Sequence, residues 1–326
     1  MPHSKRKRIS ILKHLQKLNQ TLERLAQIAD KFNQNAQIIN VSISLGELRQ
    51  RYRLKQKPLS VAELNDIIDF QRVPIDFDRP LFIYGSDGGL IAYRASLNNP
   101  DILETLTQSI RELPKRTKSK FRGIDRGKYS ARHYCIWCPY AKVPFISKEL
   151  QQDGEAGLQF LIANTALWKR LSDILGGIAP SVYKTFLRYP LPKQMKRFCT
   201  AWAGCVVNIG DQDPVQTKPH RDVKESKYGY SCVVPTGDYT GGGLICYELK
   251  LIVELAPGTC FFFPDSLITH SNEKVTGERS SIVAFTQENM FHYWKRKYRY
   301  VNNKDKKGSK KILKRIQKSK EAVKVN

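Results

Sequence analysis

A chain of 326 residues with 41% hydrophobic content is long enough to bury one large core or two smaller ones. No apolar run approaches the roughly 20 residues that span a bilayer, and seven scattered cysteines lack the spacing of a disulfide framework. A membrane-spanning protein and a disulfide-stapled module are therefore set aside for a soluble protein in a reducing compartment, and the net charge of +25 points to a polyanionic partner, nucleic acid before an acidic membrane surface.

The charge sits mostly at the ends. Met1 to Asn19 holds about six Lys and Arg and no acid, and Lys295 to Asn326 holds about fourteen against two acids, which leaves a centre of roughly +7. The basic N-terminal arm, residues 1–19, runs into an amphipathic helix, because Ile11, Leu12, Leu15, Leu18, Leu22, Leu25 and Ile28 recur at helical spacing. Such arms serve either as phosphate grips or as solvated import tails. The run Lys5 to Arg8 and the two basic ends favour the nucleus, and a mitochondrial presequence is the second reading of the same opening.

Residues 20–150 read as a helical and mixed extension. A short helix is expected after the cap-like Ser60 through Val61, Leu64, Ile67 and Ile68, ending before Pro74. The stretch RPLFIYGSDGGLIAYRA reads as two strands around a tight turn at Ser86-Asp87-Gly88-Gly89. The polar segment from Leu113 to Arg132 reads as an exposed loop.

Residues 151–294 carry helices and then a β-rich block. Leu158 to Phe186 shows helical spacing with a break at Gly176, Gly177 and Pro180, so two helices are expected over one face of that block. Strands are expected at Trp202 to Ile209, Gly229 to Val234, Leu244 to Tyr247, Leu251 to Leu255, Thr259 to Phe263 and Ser280 to Thr286. Turns are expected at Gly237-Asp238, Gly241 to Gly243 and Pro257-Gly258. The predicted class is α+β: a double-stranded β-helix, or jelly roll, with helices packed on one face, the mixed N-terminal extension, and a basic tail over 295–326.

Within the β-rich block, KPHRD places His220 and Asp222 two residues apart, so on an extended strand both project to one face. His270 follows the turn after Phe261-Phe262-Phe263-Pro264. Two imidazoles and a carboxylate on one face of an octahedron leave the opposite positions open, the arrangement of non-haem iron(II) oxygenases. An H-x-D pair alone is a weak signal; the order H-x-D, strands, His, then Arg-x-Ser is a stronger one. Arg279 opens the strand RSSIVAF with Ser281 on the same face. A guanidinium fork beside a hydroxyl is a natural clamp for the distal carboxylate of 2-oxoglutarate, whose other end would chelate the iron.

Other signals weigh less. Cys135 and Cys138, with His133, form an incomplete zinc ligand set and read more simply as partly buried thiols. Trp137, Trp168, Trp202 and Trp294 read as core or rim residues, and Asp211 and Asp213 as turn formers.

The segment NIGDQDPVQTKPHRDVKESKYGYSCVVPTGDYTGGGLICYELKLIVELAPGTCFFFPDSLITHSNEKVTGERSSIVAF resembles the oxygenase core of the TET/JBP group, its short transposon-associated members above all, over roughly a third of the chain. The resemblance implies a dioxygenase that oxidises a methyl group on a base, 5-methylcytosine first and N6-methyladenine or thymine otherwise. It implies Fe(II) on His220, Asp222 and His270, 2-oxoglutarate on Arg279, and O2 as co-substrate. The implied partner is methylated duplex DNA from which the base is flipped, since a stacked methyl group cannot reach the metal. Some members have an acidic residue three positions after the ligand Asp that contacts the base. Glu225 stands there, where Asp is usual, and with Asn208, His292 and Tyr293 it makes up the expected base contacts. The cysteine-rich extension of animal members has no counterpart. Two other functions share these features: hydroxylation of a protein side chain or small molecule, and non-catalytic binding of nucleic acid on a jelly roll.

Overall fold

The computed structural model describes residues 35–293 except 54–68, 118–122, 125–126, 139–142, 190, 192–194, 196 and 211–212, together with residues 20, 23 and 27. The basic arm, most of the amphipathic helix, the helix expected after Ser60, Asp211, Trp294 and the basic tail lie outside the described residues.

The chain opens with β1 (Gln37–Asn40), α1 (Leu45–Arg53) and β2 (Gln71–Val73), then the hairpin of β3 (Leu81–Tyr84) and β4 (Leu90–Ser96). Helix α2 (Pro100–Arg116) leads to β5 (Gly123–Ile124), β6 (Gly127–Trp137) and β7 (Phe145–Ile146). Four helices come next: α3 (Lys148–Asp153), α4 (Glu155–Ala163), α5 (Thr165–Ile178) and α6 (Pro180–Arg188). The remainder is β8 (Gly204–Ile209), β9 (Ser231–Gly241), β10 (Leu244–Cys246), β11 (Leu251–Val253), β12 (Thr259–Phe263), β13 (His270–Asn272) and β14 (Val275–Phe285).

These strands form a ten-stranded sheet ordered β1-β3-β4-β12-β9-β14-β8-β6-β5, with β7 on β6, and a four-stranded sheet ordered β13-β10-β11-β2. Strand β12 shows how the sequence sorts the layers. Its side chains alternate, so Phe261 and Phe263 enter the core between the sheets with Ile83, Ile91, Leu251 and Val253. Cys260 and Phe262 face the other way, toward Trp202 and the helices. A run apolar at every position is what a strand buried on both faces requires. Helix α5 meets it with Leu167, Trp168, Leu171 and Leu175 at helical spacing. The result is the expected jelly roll with helices over one face. The buried Arg94 donates to the carbonyls of Val73, Pro74 and Glu254, and so ties β4 of the large sheet to the edge of the small one. All seven cysteines are free and buried.

Several elements differ from expectation. Of the loop expected over Leu113 to Arg132, the described residues form instead the end of α2, β5 and the start of β6. Asn99 caps α2 by accepting from the Ile102 amide at 3.1 Å, Pro100 begins it, and Leu106, Ile110 and Leu113 form a buried stripe beneath a polar outer face. Strand β6 opens among basic residues, yet it pairs with β8, Ala131 opposite Asn208. The large sheet thus draws strands from both sides of the expected boundary at 150/151. Gly176 and Gly177 lie inside α5, and the chain breaks at Ala179-Pro180 and again at Asn164. The turn expected at Gly237-Asp238 is part of β9, whereas Gly241 to Gly243 do connect β9 to β10.

Gly237 has φ +115°, and a Cβ there would stand 2.1 Å from the Glu278 carbonyl oxygen of β14. Gly88, at φ +71° in the β3–β4 turn, has open space instead. Gly237→Ala is therefore expected to destabilise the protein by about 1–3 kcal/mol more than Gly88→Ala, measured by urea unfolding.

Candidate metal and cosubstrate site

The metal triad rests on a backbone pairing. His220 and His270 form an antiparallel bridge in which each amide donates to the other's carbonyl, at 3.0 and 2.9 Å. The Asp222 amide donates to the Asp265 carbonyl at 3.1 Å. Segments far apart in the chain are thereby held in one register before any ion is considered.

The rings are oriented as well. Nδ1 of His220 lies 2.7 Å from the Lys218 carbonyl oxygen, and Nδ1 of His270 lies 2.9 Å from that of Ile268. A carbonyl can only accept, so Nδ1 carries the proton and donates in each ring, which leaves the Nε2 lone pair as the ligand. Both Nε2 atoms lie 3.8 Å from Asp222 Oδ2. The three ligand atoms fall within 4.8 Å of one another, and among the described residues no other trio of His, Cys, Asp or Glu converges in this way. The Phe263 ring meets His270 edge-on at 4.9 Å between centroids. Glu248 accepts from both the amide and the hydroxyl of Thr269, at 2.7 Å each, and so fixes the residue before His270. Burial raises the Glu248 carboxyl above its ordinary value, and the bonds from Thr269 and the charge of Arg221 oppose that rise.

Arg279 is 2% exposed. Its Nη1 donates to the Val215 carbonyl and its guanidinium lies 5.4 Å from the Tyr239 ring centroid, while Nε has no hydrogen-bond partner. Burial lowers the guanidinium pKa, Tyr239 opposes the shift, and no carboxylate of the described residues pairs with it. A buried charge in this condition is costly and calls for an anion. Gly242 keeps the space beside it clear, since a Cβ there would come within 3.4 Å of Arg279 Nε. Ser281, next on the same face of β14, accepts from Asn208 Nδ2 at 3.2 Å.

A cavity of about 390 Å³ connects these groups. Alternation along the strands accounts for much of its wall: Tyr129, Ala131, His133 and Trp137 on β6, Val206 and Asn208 on β8, and Arg279, Ser281, Val283 and Phe285 on β14. The register ranks them. Ala131, Asn208 and Ser281 lie level across the sheet, as do His133, Val206 and Val283, while Phe285 stands further from Arg279 along β14. At that far end Trp137 meets His133 edge-on at 4.9 Å and Phe285 edge-on at 6.3 Å. Glu225 bridges Gln287 there, and Gln287 Oε1 accepts from the Cys138 amide at 2.7 Å.

The structure brings His220, Asp222, His270, Arg279, Ser281, Asn208 and Glu225 to one cavity. Asn208 lies beside Ser281 and level with Ala131 across the sheet. His292 and Tyr293 do not line the cavity; the His292 side chain is 49% exposed, 3.6 Å from Glu288. Cys135 and Cys138 are buried, and His133, their expected companion, turns to the cavity with Nδ1 3.3 Å from Glu149. Sequence reasoning passed over Tyr129, His133, Trp137 and Phe285 as site residues. Their signal was the spacing of two in KYSARHYCIW, legible once that stretch is recognised as a strand.

No family model and no curated protein sequence matches the chain. Among solved structures, NgTET1 in complex with 5mC DNA superposes with a TM-score of 0.56 at 16% identity, over 83% of this chain and 90% of that one. An oxidoreductase of the 2OG-Fe(II) oxygenase family from Burkholderia pseudomallei overlaps at TM-score 0.36 and 11% identity, over 76% of this chain and 94% of that one. A collagen prolyl hydroxylase from Paramecium Bursaria Chlorella virus-1, in its 2OG complex, overlaps at 0.34 and 13%, over 61% and 96%. The first likeness is one of fold, the double-stranded β-helix; the other two overlap too loosely to add to it.

The site geometry sets two expected outcomes. Asp222→Ala is expected to weaken Mn2+ binding more than roughly a hundredfold in calorimetry, the upper range for loss of a mere supporting residue. Arg279→Met should leave the metal-free protein at least as stable, because it removes a buried charge without a carboxylate. The rise in melting temperature that 2-oxoglutarate produces with Mn2+ should disappear in that variant.

Proposed function

We propose that the chain is an Fe(II)- and 2-oxoglutarate-dependent dioxygenase of the TET/JBP kind that oxidises the methyl group of a modified base in DNA. The first candidate is 5-methylcytosine, with N6-methyladenine and thymine behind it. One observation carries the reading: a single cavity runs from a buried guanidinium lacking a carboxylate, past three converging metal ligands, to an aromatic wall.

The residues suit the groups they would hold. His220, Asp222 and His270 present two oriented Nε2 atoms and a carboxylate, a donor set that would hold Fe(II) and leave room beside it for the oxoacid. Iron with 2-oxoglutarate supplies O2 activation, coupled to cleavage of the oxoacid into succinate and carbon dioxide, so that one oxygen atom enters a C–H bond. Arg279 would take the distal carboxylate through Nε and its outer nitrogen, and the Ser281 hydroxyl would add a further bond. Water is excluded there, which strengthens the pair.

The far end of the cavity suits a flat, polar-edged ring. Trp137 and Phe285 offer π faces and edges, and a base stacked on an aromatic side chain gains about 1–3 kcal/mol. Glu225 offers a carboxylate to a base edge. Gln287 has its oxygen engaged by Cys138, so its NH2 is the group left to donate. A base reaches this depth only when extruded from the stack. NgTET1, which shares the fold, was solved on 5mC DNA, and that supports the choice of base. The basic ends of the chain would grip phosphates and favour a nuclear location. Among the described residues no helix is long and apolar enough to cross a membrane.

The test is product analysis. With Fe(II), 2-oxoglutarate and methylated oligonucleotides, mass spectrometry should find hydroxymethyl or further oxidised base together with an equivalent of succinate, and His220→Ala should abolish both. Trp137→Ala should raise KM for DNA more than it lowers kcat. Succinate release by the wild type without any altered base, across the three methylated bases, would move the substrate to a protein side chain or small molecule.

A further inference from the structure

Among the described residues, two of the large apolar side chains exposed to solvent, Val223 at 45% and Tyr228 at 46%, lie in the short loop between the metal ligand Asp222 and β9. Val223 follows Asp222 directly and lines the mouth of the cavity, with the exposed Lys224 after it. Its exposure is not slack in the chain. The Tyr52 hydroxyl on α1 donates to the Val223 carbonyl at 3.0 Å, and Arg49 Nε donates to that of Lys227 at 3.3 Å. From the other side the Ser226 amide donates to the Thr286 carbonyl at 3.0 Å, just beyond β14. Cations and rings interleave here: the Arg49 guanidinium lies 5.1 Å from the Tyr228 centroid, and Lys227 Nζ lies 5.3 and 5.5 Å from those of Tyr52 and Tyr228. A fold that braces a loop from two sides could bury a valine at its tip; this one holds it out in water beside the reaction centre.

We infer that Val223 is the wedge that enters the base stack when the target base is extruded, with the loop from Asp222 to Tyr228 as the element that grips the duplex. The inference rests on the base-oxidation reading and adds the residue that makes it work on paired DNA. Extrusion leaves a gap one base thick, and proteins that unstack a step commonly fill it with an apolar side chain while cations hold the flanking phosphates. A β-branched side chain is stiff about χ1 and suits insertion without further ordering. Its position one residue from a metal ligand keeps the gap at the mouth through which the base must pass. Ile162, at 63% the most exposed of these side chains, is on α4 over the helical face and is the natural control.

The experiment compares wild type, Val223→Ala, Val223→Leu and Ile162→Ala on one methylated sequence, presented as duplex and as single strand. The ratio of duplex to single-strand oxidation should fall roughly tenfold or more in Val223→Ala, recover in Val223→Leu and stay unchanged in Ile162→Ala. Iron and oxoglutarate binding, read from the visible absorption of their complex, reports whether the neighbouring Asp222 has been disturbed. In parallel, 2-aminopurine beside the methylated base in duplex DNA reads unstacking without turnover. Its emission should rise with metal-free wild type and rise much less with Val223→Ala. Equal loss on both substrates, or equal emission with both proteins, overturns the wedge. Wild type that raises emission through Val223 but oxidises no base upholds the wedge and overturns the proposed reaction, so the two failures are separable.

Discussion

The pairing of His220 with His270 is the constraint on which the rest of the site depends. Two reciprocal amide-to-carbonyl bonds dock the segment after β8 onto the start of β13, and the same segment carries Asp222 and the loop beyond it. Because side chains on paired residues stand on a common face, the bridge alone sets the rings side by side, 4.3 Å between centroids. The carbonyls of Lys218 and Ile268 then choose the tautomer. Metal affinity in this protein is thus largely a property of the backbone, prepared before the ion arrives, and the ligands have little freedom left to lose.

Arg279 extends the same logic to charge. It sits on the central strand pair β9–β14, where burial penalises the guanidinium and Tyr239, Tyr129 and the Val215 carbonyl oppose the penalty without a carboxylate among the described residues. Folding therefore leaves a local electrostatic deficit, which the dicarboxylate of the proposed reaction would relieve. Binding energy of this kind is selective, since a ligand without the distal carboxylate brings the cost of filling the cavity and none of the relief.

Legibility in the sequence followed the range of the interactions. The H-x-D pair, the run Thr259 to Phe263 and the β3–β4 turn were readable because spacing and turn chemistry are local; the last two lie on strands where the pattern put them, and the first lies on an extended edge joined by a single bridge. Helix α2 carries local signals, the Asn99 cap, Pro100 and the stripe of Leu106, Ile110 and Leu113, that sequence reasoning passed over. Strand β6 was not readable in this way. Its first half lies in a run of Lys and Arg that hides the alternation of Tyr129, Ala131 and His133, and β8 offers it a complete edge to pair with. The aromatic wall was missed for the same reason, since Trp137 and Phe285 are more than a hundred residues apart and meet only through that pairing. His292 and Tyr293 were nominated by nearness in sequence, a poor guide where the chain turns away as a helix at 288–293.

The buried cysteines acquire a meaning in this setting. Burial raises the thiols of Cys135, Cys199, Cys232 and Cys246 above their ordinary value, so they stay protonated and poorly nucleophilic. The proposed reaction would generate stray oxidants at the site, and these four thiols are held protonated while all seven cysteines are buried away from solvent. Under the proposed reaction, the packing that builds the core would thereby also shield the catalyst from its own oxidants.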